Sequence, residues 1–455
     1  MFFMSKNNLG AEWLMHRLLS GGAWVFVGRI IGAPAGFAVN ILIARLLSPH
    51  DVGVYFLMVS LVLAAVAVAQ WGLQIAVVRL VSEALGQGLG GRARGAVFAV
   101  LKIGVIGACI VALAVGSIGG RVLTQHFGAP QQLQDAIWYG AAWIVALTLL
   151  NLMAETFRGL QDYRLATIFG GPAHSILLLG FLGTVFFIQG KCSLSSVLWL
   201  CVVLSAFLVV VAAAAMRRHI ARMAGDTRVR VAEVLGLGWP LMITSLAIFF
   251  VTQIDLWIIG AYRNSDEVAV YGAAARLVQL VVMPMLIVNA VIPPIISALY
   301  AQGKIRQLER IVRTAALLSA VPAFAASLIF VFAAEPILNL VYGHYYQSGA
   351  IVLILVSFGQ AINIFAGSGA IVLMMTNHQR SIMVISVICG ILLVAGGIAV
   401  VGEYGAPGVA AVTAAAAVTH AMMTLYWVKR KTGMWTHAGF SQWSNIRMAM
   451  SGLRA

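Results

Sequence analysis

The second half of this 455-residue chain repeats the first half at an offset of about 216 residues. Three pairs of matching residues occupy equivalent places in a series of apolar stretches: Val52-Gly53-Val54-Tyr55 with Val268-Ala269-Val270-Tyr271, Ser82 with Ser297 (one residue short of the offset), and Arg164 with Arg380. Transporters are commonly built from a duplicated set of membrane spans, with the substrate path between the two halves. The repeat therefore predicts a transporter.

The composition predicts that these stretches lie in a membrane. The chain is 62% hydrophobic and 9% charged, with a mean hydropathy of +0.97, whereas soluble domains are about 25% charged. Backbone in lipid must satisfy its own hydrogen bonds, so apolar stretches of about 20 residues should be helices. Twelve spans are expected, near residues 23–44, 54–78, 96–116, 133–155, 165–188, 193–216, 235–260, 268–296, 312–333, 349–375, 381–401 and 407–428. The predicted fold class is an all-α polytopic membrane protein of two six-helix bundles.

The distribution of basic residues orients these spans. With a cytoplasmic amino terminus, 23 of the 29 basic residues fall in inner segments, and four fall in outer loops: Arg45, Arg121, Lys191 and Arg263. Such a bias places both termini in the cytoplasm. The net charge of +15 is then explained by topology and contact with anionic phospholipids. Because the basic residues are spread over separate loops, we expect no nucleic-acid partner.

The domain organisation follows from the spans. We predict an interfacial segment (1–22), a first bundle (23–216), a basic cytoplasmic linker (217–234), a second bundle (235–428) and a cytoplasmic tail (429–455). No gap is long enough for a soluble catalytic domain, and the sequence has no GxxxxGK[ST] phosphate loop. Its four cysteines form no CxxC pair. We therefore expect no catalytic residues, no metal and no cofactor.

Ionisable residues inside spans are the sharpest functional candidates, because a charge there is expensive unless it faces protein or water. Arg29 lies in the first predicted span, Asp255 late in the seventh and Arg276 early in the eighth. Asp255 and Arg276 flank one turn at similar depth, so a helical hairpin is compatible with an ion pair between them. That pair is either structural or exposed to a cavity. His174 in the fifth span is either a proton-sensing group or a packed neutral histidine.

Uncharged polar residues inside the spans are candidates for a wet cavity that accepts sugar hydroxyls. The set comprises Asn40, Gln70, Gln74, Asn151, Gln253, Gln279, Asn289, Gln360 and Asn363. Each is equally well explained as a hydrogen-bonding contact between helices.

Two segments carry a resemblance to a known family. The stretch ILIARLLSPHDVGVYFLMVSLV, followed by WGLQIAVVRLVSEA, resembles the opening hairpin of bacterial polysaccharide-biosynthesis transporters. The stretch QIDLWIIGAYRNSDEVAVYGAAARLVQL resembles the hairpin that opens their second half. These transporters are the oligosaccharide-lipid flippases, including the O-antigen (Wzx-type) flippases, of the multidrug/oligosaccharidyl-lipid/polysaccharide (MOP) exporter superfamily.

The resemblance implies a substrate and a site. In the family, two six-helix bundles form a V around a central cavity, through which a polyprenyl-diphosphate-linked oligosaccharide crosses from the inner to the outer leaflet. Basic cavity residues are thought to hold the diphosphate, and Arg29 and Arg276 match them here. The related lipid II flippase typically has fourteen spans, so the expected twelve favour a sugar-polymer precursor for lipopolysaccharide or exopolysaccharide. The location implied is the bacterial inner membrane.

Other functions and partners stay open at this stage. A multidrug/cation antiporter of the same superfamily should carry acidic residues deep in its cavity, and only Asp255 lies well inside a span. An integral-membrane glycan polymerase or ligase should carry a sizeable outer loop with reactive side chains, but the longest outer stretch, Ala334–Gly349, offers only Glu335 and His344. A proton or sodium gradient is a plausible coupling source, through Asp255 or His174. A polysaccharide polymerase or export complex is a candidate partner.

Overall fold

The computed structural model describes residues 24, 27, 28, 30–119, 131–221, 223, 225 and 229–439. Within this part of the chain, the regular elements are all helical. The α-helices are α1 (Ile30–Leu46), α2 (Pro49–Ala69), α3 (Leu73–Gly86), α4 (Gly90–Ala114), α5 (Gln131–Gly159), α6 (Tyr163–Phe169), α7 (Pro172–Ile188), α8 (Leu194–Ile220), α9 (Val231–Tyr262), α10 (Ser265–Ala301), α11 (Ile305–Tyr342), α12 (Ala350–Ala366), α13 (Gly369–Met375) and α14 (Gln379–Thr432). A π-helix, Val115–Gly119, follows α4, and a 3₁₀ helix, His344–Gly349, precedes α12.

The helices confirm an all-α polytopic membrane protein. Among the described residues, nine helical stretches are long and apolar enough to cross a membrane. The longest of them, α14, covers the last two predicted spans, with non-helical backbone at Gly405 between them. The first and seventh predicted spans correspond to α1 and α9. Large apolar side chains such as Phe187 and Phe332 are more than 80% exposed, as expected where lipid replaces water.

The sequence repeat is also a repeat of helix boundaries. Pro49 begins α2 and Ser265 begins α10, 216 positions apart. Tyr163 begins α6 and Gln379 begins α14, again 216 positions apart. Matching positions in the two halves therefore start helices in the same order along the chain.

Three predicted spans are interrupted, whereas their hydropathy predicts one continuous helix for each. The spans near residues 54–78, 165–188 and 349–375 each contain a break between two helices. Between α2 and α3, Trp71 (φ 48°) and Gly72 (φ 70°) adopt left-handed backbone, which an α-helix cannot contain. Gly171 (φ 135°) separates α6 from α7, and Gly367 (φ 83°) separates α12 from α13. Hydropathy does not depend on these local backbone angles, so it cannot predict the breaks.

The described residues form two compact units, each with its own core. The first unit holds residues 30–46, 58–119 and 131–246. Its core lies between α3, α4, α5 and α8 and includes Val77, Val97, Phe157 and Ala212, all fully buried. The small side chains on α4 and α8 allow each of these helices to pack closely on α5, as is usual for helices in membranes.

The second unit holds residues 47–57 and 247–439. One of its cores packs α10, α11, α13 and the end of α14 around buried Ile296, Val312 and Val372. The segment that follows α14 is folded back onto this unit, where the Thr436 hydroxyl donates to the carbonyl of Ala366 (2.9 Å) at the end of α12. This contact satisfies a carbonyl that the break after α12 leaves without an intrahelical partner.

Candidate substrate site

Arg276 is the one predicted diphosphate-binding residue that the structure describes, since Arg29 lies outside the described residues. Arg276 is half-buried on α10, and its Cζ atom lies 5.5 Å from the centroid of the Phe56 ring. A guanidinium over an aromatic face is stabilised by the negative charge of that face. The contact fixes the arginine without neutralising it.

The predicted ion pair between Asp255 and Arg276 is not formed. Among the described residues, no carboxylate lies within the ion-pair distance of 4.0 Å from Arg276. Instead, Asp255 Oδ2 accepts a hydrogen bond of 2.6 Å from the Tyr271 hydroxyl, and Oδ1 accepts one of 2.9 Å from the Leu256 amide. The Tyr271 hydroxyl also lies 3.3 Å from Thr413 Oγ1.

The rotation of the helices explains why no contact ion pair forms, although the Arg276 charge still acts on Asp255. An α-helix turns through about 100° per residue, so Arg276, five residues beyond Tyr271, points roughly 140° away from it. It also lies about 7 Å further along the axis. Because Tyr271 faces Asp255, Arg276 makes no direct contact with that carboxylate. Similar depth is therefore not sufficient to predict a contact ion pair.

The buried Tyr342, which has no distinguishing sequence signature, lies within range of the Arg276 charge. Tyr342 ends α11 and is only 2% exposed, and the Arg276 charge acts on its hydroxyl group. No hydrogen-bond partner for that hydroxyl exists in the described part of the chain. A buried tyrosine hydroxyl usually has a partner. Tyr342 therefore offers an unpartnered hydroxyl within range of the Arg276 charge, and tyrosines at helix ends are too common for the sequence to single it out.

His174 packs in the first unit. Its ring is stacked on the ring of Trp143, with centroids 6.4 Å apart and planes 20° apart. Trp143 is itself buried on α5. This contact shows how the ring is held, and a proton-sensing role stays a prediction.

The uncharged polar candidates are divided between the units. Asn40, Gln70, Gln74 and Asn151 belong to the first unit, and Gln253, Gln279, Asn289, Gln360 and Asn363 to the second. Asn40 Nδ2 donates to the carbonyl of Gly36 in its own helix (2.7 Å). Asn289 Oδ1 accepts from Ser368 Oγ (2.7 Å) at the break between α12 and α13. Asn40 is therefore bonded within its own helix, and Asn289 joins α10 to the break between α12 and α13. The role of the other residues stays a prediction.

Comparison with protein families decides the classification. A family described as "Polysaccharide biosynthesis protein" matches residues 18–300, more than half of the chain. The chain belongs to this family. A second family, MatE, matches residues 240–397. Among curated proteins, none matches this sequence significantly.

Solved structures confirm the fold at low sequence identity. The lipid II flippase MurJ in an inward closed conformation has a TM-score of 0.69 at 14% identity, over 90% of this chain and 87% of that one. A multidrug resistance MATE family transporter of the MOP superfamily, in an inward-facing conformation, has a TM-score of 0.67 at 13% identity, over 90% and 98%. A MOP superfamily transporter from Pyrococcus furiosus has a TM-score of 0.58 at 16% identity, over 92% and 95%. The chain is therefore a multi-pass membrane protein that shares the fold of these transporters.

Proposed function

We propose that this protein is a flippase for polyprenyl-diphosphate-linked oligosaccharides. It would move them by alternating access from the inner to the outer leaflet of the bacterial cytoplasmic membrane, for a lipopolysaccharide or exopolysaccharide. The family match over residues 18–300 supports a role in polysaccharide biosynthesis. The state of Arg276 is the structural observation that supports the lipid diphosphate as substrate.

Arg276 has the properties that a membrane-embedded diphosphate site requires. A diphosphate cannot enter a poorly hydrated region without a compensating charge. A guanidinium supplies that charge and two parallel hydrogen bonds in one plane. Phe56 holds Arg276, and no described carboxylate lies within 4.0 Å of it, so its N–H groups are available to a phosphate. The unpartnered Tyr342 hydroxyl is suited to donate a further hydrogen bond to a phosphate oxygen.

The second candidate function is a multidrug/cation antiporter, which the MatE match over residues 240–397 supports. Its expected cation-binding group is Asp255. Both carboxylate oxygens of Asp255 already accept hydrogen bonds, from Tyr271 and Leu256, so a cation would compete with protein donors. A polymerase or ligase is disfavoured because the outer stretch Ala334–Gly349 is occupied by the end of α11 and a 3₁₀ helix.

The membrane arrangement that accompanies this proposal is the one predicted from the basic residues. Both termini are cytoplasmic, the two halves are parallel six-span bundles, and a polymerase or export complex receives the translocated unit. Coupling to a proton or sodium gradient would involve Asp255, whose contact with the Tyr271 hydroxyl changes if the carboxylate binds a cation.

Gene deletion followed by complementation tests the proposal. Without the protein, lipid-linked oligosaccharides should accumulate on the inner leaflet, and the surface or secreted polysaccharide should be lost. Arg276→Ala should restore little export, whereas Arg276→Lys should restore part of it, because lysine keeps the charge and loses the planar fork. Arg430→Ala is the matched control, since Arg430 also lies over an aromatic ring (5.8 Å from Trp427) but at the exposed end of α14.

Two results would contradict the proposal. Full export by a stable Arg276→Ala protein would show that Arg276 does not bind the diphosphate. Normal polysaccharide in the deletion strain, together with lowered resistance to cationic drugs, would establish the antiporter instead. Protein level in the membrane, measured for every variant, separates lost transport from lost folding.

A further inference from the structure

A polar cavity of about 400 Å³ lies in the second unit, and Arg276 is not among its lining residues. Three connections meet around it: the turn between α9 and α10, the 3₁₀ helix before α12, and the bend of α14 at Gly405. The positive-inside rule places all three on the outer side of the membrane. Its volume falls in the range of small-molecule sites, about 300–1,000 Å³.

The wall of this outer cavity is fixed by hydrogen bonds. Arg263 donates from Nε to the carbonyl of Val401 (3.0 Å) and from an η nitrogen to the carbonyl of Gly402 (3.1 Å). Both carbonyls precede the bend in α14 and have lost regular helical partners. Glu267 accepts from the Ala406 amide (3.3 Å) and lies 3.8 Å from Arg263 Nε. Arg263 and Glu267 therefore hold the cavity open in one shape.

Other groups around the cavity are exposed to a ligand, and the hydroxyl of one of them, Tyr345, also interacts with Asp266. The rings of Tyr345 and Tyr404 are 45% and 64% exposed. Glu403 is also exposed and forms no ion pair with any described residue. An aromatic face can cover the C–H face of a sugar ring, while a carboxylate accepts hydrogen bonds from its hydroxyls. Exposed tyrosines beside a carboxylate are thus suited to a carbohydrate.

The charge of the cavity selects among carbohydrates. The cavity is lined by one guanidinium, that of Arg263, and by the carboxylates of Asp266, Glu267 and Glu403, of which Asp266 also lies 3.8 Å from His50 Nδ1. The negative excess repels a diphosphate or a uronic acid and tolerates a neutral or amino sugar. The outer cavity therefore disfavours anionic groups, whereas Arg276 attracts them.

We propose that the outer cavity binds a neutral or amino sugar of the glycan, separately from its diphosphate. This inference rests on the proposed flippase function and extends it, because it assigns the two chemically different parts of one substrate to two sites. Binding the glycan at the outer side would favour release of the carrier lipid into the outer leaflet.

The probe for this proposal is the glycan released by mild acid from the lipid-linked material of the deletion strain. Its binding to the purified full-length protein is measured by saturation-transfer NMR and titration. Tyr404→Ala and Glu403→Gln should each weaken binding about tenfold, equivalent to about 1.4 kcal/mol. Tyr426→Ala removes a similarly exposed tyrosine (58%) near the cytoplasmic end of α14 and should leave binding unchanged. A galacturonic acid trimer should not compete with the glycan for binding, because its carboxylates are repelled by those of the cavity.

The outcomes separate this proposal from the flippase proposal. If the deletion strain accumulates no lipid-linked oligosaccharide, both proposals fall. If it does accumulate, but Tyr404→Ala and Glu403→Gln bind the glycan as tightly as the unmodified protein does, only the outer cavity is refuted. Equal binding of the galacturonic acid trimer would also refute it. Unchanged thermal unfolding of both variants shows that weakened binding does not come from misfolding.

Discussion

Replacing Tyr271 with Phe removes one hydroxyl from the buried contact with Asp255 and preserves the packing of the ring. Tyr271 is fully buried, and its hydroxyl lies 2.6 Å from Asp255 Oδ2. Hydrogen bonds to charged groups contribute about 1.5–3 kcal/mol. We expect Tyr271→Phe to lower the free energy of unfolding by this amount, because the carboxylate keeps only the Leu256 amide as a donor.

A double-mutant cycle isolates this contact. Asp255→Asn with Tyr271→Phe should show a coupling energy of about 1.5–3 kcal/mol, as expected for residues in direct contact. Asp255→Asn with Arg276→Gln should show a smaller coupling, because the Arg276 charge acts on Asp255 without a contact ion pair. Tyr262→Phe is the control, since Tyr262 is 56% exposed at the end of α9.

The free energies of unfolding and the coupling energies are measured by unfolding each variant in mixed detergent micelles while monitoring tryptophan fluorescence. The reasoning is refuted if Tyr271→Phe changes the free energy of unfolding no more than Tyr262→Phe does. It is also refuted if the larger coupling occurs between Asp255 and Arg276, because the two helices would then be rotated differently from the structure.

Further predictions concern packing and topology. Gly53→Ala should lower the free energy of unfolding by about 1–3 kcal/mol, because its new methyl group overlaps the Ser265 carbonyl. Gly183→Ala, where the methyl group meets nothing within 4 Å, should be neutral or stabilise the helix by up to about 1 kcal/mol; equal thermal shifts for both variants would contradict the packing. Cysteine at the exposed position Gln302 should react only with cytoplasmic reagent and cysteine at exposed Lys191 only with periplasmic reagent. Labelling of either cysteine from the opposite side would show that the protein has the opposite orientation in the membrane.

The sequence was sufficient for the architecture because hydropathy and repetition are long-range signals. Apolar stretches of about 20 residues locate helices wherever lipid excludes other backbone structures. The matching starts of α2 and α10 at Pro49 and Ser265 show that the repeat in sequence is a repeat of helices. Breaks such as that at Trp71 escaped prediction, since a tryptophan in left-handed backbone (φ 48°) has no compositional signature.

The candidate site could be predicted only in part. Arg276 was found because an arginine inside an apolar span is rare and expensive. The partner of Asp255 was not found, because depth in a hairpin leaves the rotation of each helix undetermined. The outer cavity was not found either, because Arg263, Tyr345 and Tyr404 come from three separate connections that only the folded chain brings together.

The most direct test of the flippase account is transport by the purified protein in liposomes that contain a polyprenyl-diphosphate oligosaccharide. An added glycosidase reaches only glycan on the outside of the vesicles. The account predicts that the protein makes the protected inner pool digestible, and that Arg276→Ala slows this exposure while Arg430→Ala does not. An inner pool that stays protected in the presence of the folded protein, while the same vesicles transport a cationic dye, would contradict the account.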